Sequence, residues 1–130
     1  NFALPAGTTG DAYRAGIETV LAPVLERFGA TWLLVSVGFD AHRADPITEM
    51  GLTAGDYADT VADLLGFAPP GRRLLFLEGG YALQALVHSA GAVGAAAVGE
   101  SFRPEAATAG GPGAAAVETA HQIHVERRLN

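Results

Sequence analysis

Residues 31–40 read TWLLVSVGFD, and this stretch decides the fold. Its apolar residues follow one another without alternation, which is typical of a strand buried on both faces of a parallel sheet. A second apolar run, RLLFLE at residues 73–78, follows after a helical pattern at 53–65. The two runs predict strands at about 32–38 and 73–78, joined by one helix.

Two further helices are predicted on either side of this strand pair. Apolar side chains recur at three and four residues over 11–28, with Gly29 as a natural stop, and again over 82–98. Pro23 lies inside the first pattern, and because proline lacks a backbone N–H it should kink or split that helix. The helix between the strands has a capping-box-like start at Thr53, with Asp three residues later where Glu or Gln is preferred.

The order strand, helix, strand, helix predicts the α/β class, with a parallel strand pair and a crossover helix. Two parallel strands cannot cover themselves, because such a sheet needs more strands and helices on both faces. We therefore expect an incomplete part of an open parallel sheet with helices on both faces, completed by copies of this chain or by a larger sheet. The main unit is expected at residues 1–99, followed by a Gly-, Ala- and Pro-rich linker at 100–113 and a terminal helix or tail at 114–130.

The composition excludes several classes of function. The chain has 130 residues, a formal net charge of −6, no cysteine and no lysine. Without cysteine there is no disulfide framework, thiol nucleophile or Cys-ligated metal. Without a basic stripe, nucleic-acid binding is not expected, and no apolar run approaches the roughly 18 residues of a membrane span. The first residues show no signal-peptide pattern, so we expect a cytoplasmic protein.

Polar residues and glycines follow both predicted strands where each strand ends, which is the edge at which open α/β sheets bind ligands. Asp40 ends an apolar run, so its carboxylate must be paired, hydrogen-bonded or metal-bound, unless it caps the next turn. Gly79 and Gly80 allow either close approach to a ligand or a tight strand-to-helix turn. Tyr81 comes next, and it would either lie at the mouth of the same crevice or pack its ring and leave its hydroxyl in water.

Two longer motifs occur in order, VSVGFDAHRADP at residues 35–46 and, after one helix, LEGGY at 77–81. Together they resemble the histone deacetylase / acetylpolyamine amidohydrolase family, in the form found in class II-like and bacterial members. The segment LPAGT at 4–8 is similar to the stretch that leads into the preceding helix in that family. The resemblance covers about residues 1–99 and implies an arginase/deacetylase-like three-layer fold, of which this chain would form the C-terminal portion.

The resemblance implies a role for each matching residue. Asp40 matches the family's third zinc ligand, the carboxylate that completes an Asp/His/Asp set. Tyr81 matches the catalytic tyrosine, whose hydroxyl donates a hydrogen bond to the substrate carbonyl as it becomes an oxyanion. Gly79 and Gly80 match the wall of the acyl-lysine channel, and Ile47 matches an apolar channel position. The implied activity is zinc-dependent removal of acetyl groups from acetyl-lysine or from small acetylated amines such as polyamines, by metal-activated water.

The sequence also departs from the family pattern. It contains no His-His pair, which serves there as general base and acid, and no upstream Asp-x-His that supplies the other two zinc ligands. Asp40-Ala41-His42 has that form but occupies the third-ligand motif, where this histidine does not bind metal. We therefore expect a site that is inactive alone, its remaining zinc ligands supplied by a missing N-terminal half of the domain or by a partner chain. The alternative is a non-catalytic remnant, or an α/β binding or structural module.

Three further histidines stay outside the predicted site. His88 lies within a predicted helix, where a satisfied or partly exposed histidine is the ordinary case. His121 and His124 are three residues apart and could share a metal on one helix face. No acidic third ligand stands nearby, which favours a solvated terminal helix.

Overall fold

The computed structural model describes the backbone of residues 1–129 and the side chains of residues 1–124, so the end of the predicted tail, 125–130, lies outside the described side chains. The elements in chain order are α1 (Gly10–Gly16), a π-helical turn (Ile17–Leu21), α2 (Ala22–Phe28), β1 (Leu33–Val37), α3 (Ala54–Leu65), β2 (Arg73–Leu77), α4 (Leu83–Ala97) and α5 (Ala114–Leu129). No helix in the described part is long and apolar enough to cross a membrane.

The two strands pair in parallel, as predicted. The register runs from Leu33 opposite Arg73 to Val37 opposite Leu77. Because α3 lies between the strands in the chain, it is the crossover of a βαβ unit. The α/β class and the parallel pairing predicted from the order of elements are therefore confirmed.

The helix predicted over 11–28 is helical throughout, but it contains a π-helical turn shortly before Pro23. Within that turn the Ala22 N–H donates to the Ile17 carbonyl, five residues back, and Pro23 follows as the second residue of α2. Proline has no N–H for an α-helical bond, and the wider turn before it makes room for the ring, so the expected kink takes this form. Gly29 ends α2 as predicted, with a φ of 65° that favours glycine.

The α3 helix begins with the capping interaction predicted from the sequence. The Asp56 carboxylate accepts the Thr53 N–H at 2.9 Å and the Thr53 hydroxyl at 3.1 Å. Both side chains are buried, at 1% exposure each. A buried carboxylate needs such donors, because it is costly to remove a charge from water without them.

Residues 100–113, expected as a linker, make hydrogen bonds to the elements before them. The Thr108 N–H donates to Asp56 Oδ1 at 2.8 Å, and its hydroxyl donates to Asp56 Oδ2 at 2.6 Å. The same hydroxyl accepts the Gly10 N–H, at the start of α1, at 2.9 Å. We call residues 105–108 the strap, because they join the N-terminal ends of α1 and α3.

The sheet is covered on one face only within the described residues. Leu33 and Val37 are buried in a core cluster with Val61 of α3 and Val93 of α4. On the other face, side chains are exposed to a degree unusual for apolar residues of a sheet: Leu34 at 63%, Leu74 at 45% and Phe76 at 48%. The expectation that both strands are buried on both faces is met only for one face of β1; no residue of β2 is fully buried, and Leu77 is 66% exposed. The part of the chain that is described supplies no layer for the other face. This is the incomplete sheet predicted from two strands.

Candidate active site at the carboxyl edge of the sheet

Two loops leave the carboxyl ends of β1 and β2 side by side. We call them the Asp40 loop, residues 38–48, and the Gly-Gly turn, residues 79–82. The Phe39 N–H donates to the Gly79 carbonyl at 2.7 Å, so the two loops are hydrogen-bonded directly beyond the strands. The sequence predicted that these segments share one edge of the sheet, and their backbones do.

The Asp40 side chain lies between two glycines. A Cβ added to Gly38 would be 2.9 Å from Asp40 Oδ1, and a Cβ added to Gly79 would be 2.6 Å from Asp40 Oδ2. A larger residue at either position would therefore displace the carboxylate. Among the described residues no donor hydrogen-bonds to the carboxylate oxygens, and its backbone carbonyl accepts the Thr48 hydroxyl. Asp40 does not cap the following turn, and its oxygens are available to a ligand.

Gly80 shows why the turn needs two glycines. Its φ is 126°, which other residues rarely adopt, and a Cβ there would come 2.8 Å from the Cβ of Phe39. Phe39 in turn packs its ring edge-on against Tyr57, with 5.1 Å between ring centroids. The Gly-Gly turn thus packs closely against the Asp40 loop. Gly80 lies against Phe39, which is part of the core, and Gly79 lies against the Asp40 side chain.

The predicted substrate-facing residues, Ile47 and Tyr81, are both exposed, at 64% and 57%. One side chain connects them: Asp45 Oδ1 accepts the Ile47 N–H and Asp45 Oδ2 accepts the Tyr81 N–H, each at 2.8 Å. Asp45 itself is buried, at 7% exposure. The carboxylate therefore binds the Asp40 loop to the Gly-Gly turn at the position of Tyr81.

Backbone donors hold the pKa of the Asp45 carboxyl below its ordinary value. Burial of the group raises the pKa, but the N–H groups of Tyr81, Ile47, Thr48 and Ala82 together lower it further than burial raises it. Asp45 is accordingly charged at neutral pH, which strengthens the hydrogen bonds that it accepts.

The histidine of the first motif is committed to protein contacts. His42 is 3% exposed; its Nδ1 accepts the Ala44 N–H at 3.1 Å, so Nε2 carries the proton and donates to Glu105 Oε2 of the strap at 2.7 Å. Glu105 also accepts the Ala54 N–H at 3.1 Å and the Arg43 guanidinium at 3.1 Å. Because both ring nitrogens are engaged, His42 holds the Asp40 loop to the strap.

The charge of Glu105 is favoured by the same contacts. Burial raises its pKa, whereas hydrogen bonds from His42, Ala54 and Arg43 lower it, and the net pKa lies below the ordinary value. A cation side chain, a histidine and a helix N-terminus thus meet on one carboxylate.

A cavity of about 300 Å³ lies beneath Asp40, between β1 and the helices. It is lined in part by Tyr13, Tyr57 and Thr60. The hydroxyls of Tyr57 and Thr60 are buried without a hydrogen-bond partner among the described residues. Burial, and then the nearby charge of Asp40, raise the pKa of Tyr57 well above its ordinary value. Tyr57 therefore stays neutral and can only donate or accept a hydrogen bond.

The described residues do not assemble a complete metal site. No group of three or more His, Cys, Asp or Glu side chains comes together in residues 1–124. Asp40 suits a zinc ligand, since it is an unshared carboxylate at a sheet edge, but catalytic zinc takes about three protein ligands. The remaining histidines lie elsewhere: His88 contacts Gln84 at 2.7 Å, and His121 lies 3.2 Å from the Thr19 carbonyl.

Two residues that matter at this edge were not singled out from the sequence. Asp45 precedes a proline, and an Asp-Pro pair signals a turn in which the side chain accepts an N–H two residues on, so its bond to Ile47 was within reach of sequence analysis. Its bond to Tyr81 joins residues 36 apart. Glu105 contacts His42 across 63 residues, from a segment that looked like a linker. Local pattern carries no signal for either of these contacts.

Comparison with known proteins identifies relatives of most of the chain. Residues 1–97 match the family model described as the histone deacetylase domain. Histone deacetylase 14, chloroplastic, of Arabidopsis thaliana is 36% identical over 106 residues, which are 79% of this chain and 23% of that protein. A probable deacetylase of Archaeoglobus fulgidus is 36% identical over 87 residues, 65% of this chain and 24% of that protein. The chain thus spans less than a quarter of the length of these relatives.

Solved structures of the same kind superpose on nearly the whole chain. The crystal structure of the HDA15 HD domain aligns with a TM-score of 0.81 at 29% identity, covering 97% of this chain and 34% of that one. The structure of the histone deacetylase Clr3 aligns with a TM-score of 0.84 at 30% identity, covering 97% of this chain and 21% of that one. The structural likeness therefore extends beyond residues 1–97, which the family model matches.

Proposed function

The chain belongs to the histone deacetylase domain family, and on that premise we propose that it supplies the C-terminal part of a zinc-dependent amidohydrolase site. In this proposal Asp40 is one zinc ligand and Tyr81 is the catalytic hydroxyl donor. The other two zinc ligands and the histidine pair come from a segment outside these 130 residues, either the N-terminal half of the domain or a partner chain.

One observation carries the proposal: a free carboxylate and a Gly-Gly-Tyr turn lie against each other at the carboxyl edge of a parallel sheet. The Asp40 carboxylate contacts the position of Gly79, and Tyr81 follows two residues later with its side chain exposed. This is the edge where open α/β sheets bind ligands. This shared edge supports the proposal that Asp40 acts as a metal ligand and Tyr81 as a hydroxyl donor in one site.

The residues of this chain have separate tasks in the reaction. A zinc ion held at such a site polarises the substrate carbonyl and lowers the pKa of a water molecule. Asp40 contributes its charge and its oxygens to that site. The Tyr81 hydroxyl donates a hydrogen bond to the carbonyl oxygen as negative charge develops on it, an effect worth about 10²–10³ in turnover at comparable sites. The proton transfers fall to the histidine pair outside this chain.

The proposed substrates are acetyl-lysine or a small acetylated amine such as an acetylated polyamine. Ile47, Gly79 and Gly80 would line the channel that receives the acylated chain, and the exposure of Ile47 is consistent with a surface that a substrate covers. The net charge of −6 favours cationic amines over nucleic acid. The cytoplasmic location expected from the sequence stays a prediction, since two plant relatives are named chloroplastic.

The second candidate is a non-catalytic module that keeps this part of the fold without its chemistry. The observation in its favour is that the described residues supply one metal ligand of the three needed. The coding sequence directly upstream of Asn1 separates the two. A His-His pair and a strand-end Asp-x-His there support the enzyme, and their absence supports the module.

The direct experiment compares the 130-residue chain with a reconstituted domain, in which this chain is joined to an upstream deacetylase segment that carries the missing ligands and histidines. Zinc content and hydrolysis of an acetyl-lysine peptide are measured for both. We expect little zinc and no useful turnover for the chain alone, and both for the reconstituted domain. Stoichiometric zinc with metal-dependent turnover in the chain alone would contradict the proposed division of ligands. An inactive reconstituted domain that is folded and holds zinc would favour the module.

A further inference from the structure

Among the side chains that the structure describes, Asp45 is the one buried carboxylate that contacts both loops of the candidate site. Its Oδ1 accepts the Ile47 N–H and its Oδ2 accepts the Tyr81 N–H, both at 2.8 Å. The side chain is 7% exposed, so these bonds are shielded from water. No role for this residue follows from the proposed function itself.

The position of Tyr81 depends on this contact more than on any other. Its side chain is 57% exposed, and its N–H to Asp45 is the single hydrogen bond that it makes among the described residues. On one side Tyr81 follows Gly80, which has a φ of 126° and, as a glycine, can adopt many backbone conformations. On the other side it precedes α4, which starts at Leu83. Other bonds hold its neighbours: the Phe39 N–H donates to the Gly79 carbonyl, and the Leu86 N–H donates to the Ala82 carbonyl. The Asp45 contact is the one that acts on Tyr81 itself.

We propose that Asp45 is the positioning residue of the site: it fixes the backbone of Tyr81, and with it the direction of the catalytic hydroxyl. The proposal rests on the proposed function of Tyr81. The Ile47 N–H binds the other oxygen and holds the carboxylate in place. A carboxylate is required because two N–H groups meet two acceptor oxygens; asparagine would offer one oxygen and turn an NH₂ group towards the other donor.

The first experiment tests the anchor in the 130-residue chain, without zinc or substrate. Amide proton shifts and hydrogen exchange of Ile47 and Tyr81 are measured by NMR for the wild type, Asp45→Asn and Glu49→Gln. Glu49 is an exposed carboxylate in the segment that follows the same loop, with no side-chain hydrogen bond among the described residues. We expect Asp45→Asn to shift and deprotect one or both amides, and Glu49→Gln to leave both unchanged. Unchanged amides in folded Asp45→Asn would overturn the proposal, whatever the activity.

The second experiment tests the consequence for catalysis in the reconstituted domain. We expect Asp45→Asn to lower kcat about tenfold or more, with KM and zinc content close to those of the wild type, because displacement of a reacting group by about 1 Å can cost 10² in rate. The effect should disappear in a Tyr81→Phe background, where there is no hydroxyl left to position. A general folding defect would instead lower the double variant further below Tyr81→Phe alone, and that result would overturn the proposal.

The two proposals fail in distinguishable ways. An active wild-type domain in which Asp45→Asn keeps full kcat removes the positioning role and leaves the proposed function intact. An inactive wild-type domain removes the proposed function, and the positioning role with it, even where the NMR experiment shows the anchor. Lower kcat in Asp45→Asn, absent in the Tyr81→Phe background, supports both.

Discussion

Replacing Gly79 with alanine puts a methyl group where the Asp40 carboxylate lies. The added Cβ would be 2.6 Å from Asp40 Oδ2 and 3.0 Å from its Cγ. A Cβ essentially never comes within 3.0 Å of another heavy atom and ordinarily keeps 3.4 Å or more, so the carboxylate oxygen must move by roughly 0.4 to 0.8 Å. Gly79 is not among the residues with positive φ, so alanine brings no backbone strain of its own.

Displacement of the Asp40 carboxylate should weaken metal binding much more than it destabilises the fold. Asp40 has a short side chain that can rotate, and an off-rotamer torsion costs only about 0.5–1.5 kcal/mol. Metal–ligand distances, by contrast, vary by about 0.2 Å, so the shift is at least twice what a zinc site tolerates. We expect Gly79→Ala to weaken zinc binding by the reconstituted domain about tenfold or more. The free energy of unfolding of the 130-residue chain should fall by no more than about 1.5 kcal/mol.

Zinc affinity is measured by competition with a chromophoric chelator, and stability by urea denaturation. Gly94→Ala is the matched control, because a Cβ at Gly94 in α4 meets no atom within 4 Å. That variant should keep its zinc and gain up to about 1 kcal/mol in stability, as alanine does over glycine within a helix. Wild-type zinc affinity in Gly79→Ala would refute the assignment of Asp40 as a ligand beside this glycine. Failure of Gly79→Ala to fold would refute the argument that the carboxylate yields.

The remaining predictions concern single side chains. In the reconstituted domain, Tyr81→Phe should lower kcat about 10²–10³-fold with zinc retained, whereas Asp40→Asn should lose the metal. Loss of zinc in Tyr81→Phe would contradict the proposed roles of Asp40 as ligand and Tyr81 as hydroxyl donor. The pKa of Glu105 is lowered from 4.5, so its contribution to stability is present above about pH 4.5 and is lost as pH falls through the lower, folded-state pKa. The stability gap between wild type and Glu105→Gln should therefore shrink on acidification, and a gap that grows would be evidence against this ion pair. Thr108→Val removes a hydroxyl that donates to the buried Asp56 at 2.6 Å. Urea denaturation should show that the free energy of unfolding falls by about 1.5–3 kcal/mol, the range for hydrogen bonds to charged groups. A fall below about 0.5 kcal/mol would show that the strap does not hold α3.

The parts of the fold that depend on neighbouring residues were predictable from the sequence. The apolar runs became β1 and β2, the Thr53 capping interaction starts α3, and Gly29 ends α2. The approach of the Asp40 loop to the Gly-Gly turn was also predictable, because parallel strands bring their carboxyl ends to one edge. Pro23 was recognised as a disturbance, but whether it makes a kink or a π-helical turn depends on how the helix packs, which the pattern does not contain.

Contacts between distant side chains were not predictable in the same way. An unalternating apolar run indicates burial on both faces, yet Leu34 and Phe76 are exposed, because the pattern reflects a complete sheet while these residues supply one covered face. The strap looked like a linker from its Gly, Ala and Pro content, and that composition says nothing of a carboxylate at Glu105 that reaches His42. Family resemblance suggested the site positions, but the bond from Tyr81 to the buried Asp45 joins residues too far apart in the chain for a local pattern to indicate.

The strap also has a consequence for the order in which the molecule folds. Its bonds join residues far apart in the chain: Glu105 lies 63 residues from His42, and Thr108 lies 98 residues from Gly10. Closing such long loops costs entropy before any contact repays it, and contacts of this kind slow folding. During synthesis the Asp40 loop is therefore made well before the residues that secure it. The helices and the strand pair join residues nearer in the chain. We therefore expect the contacts between the strap and the Asp40 loop to form late in folding.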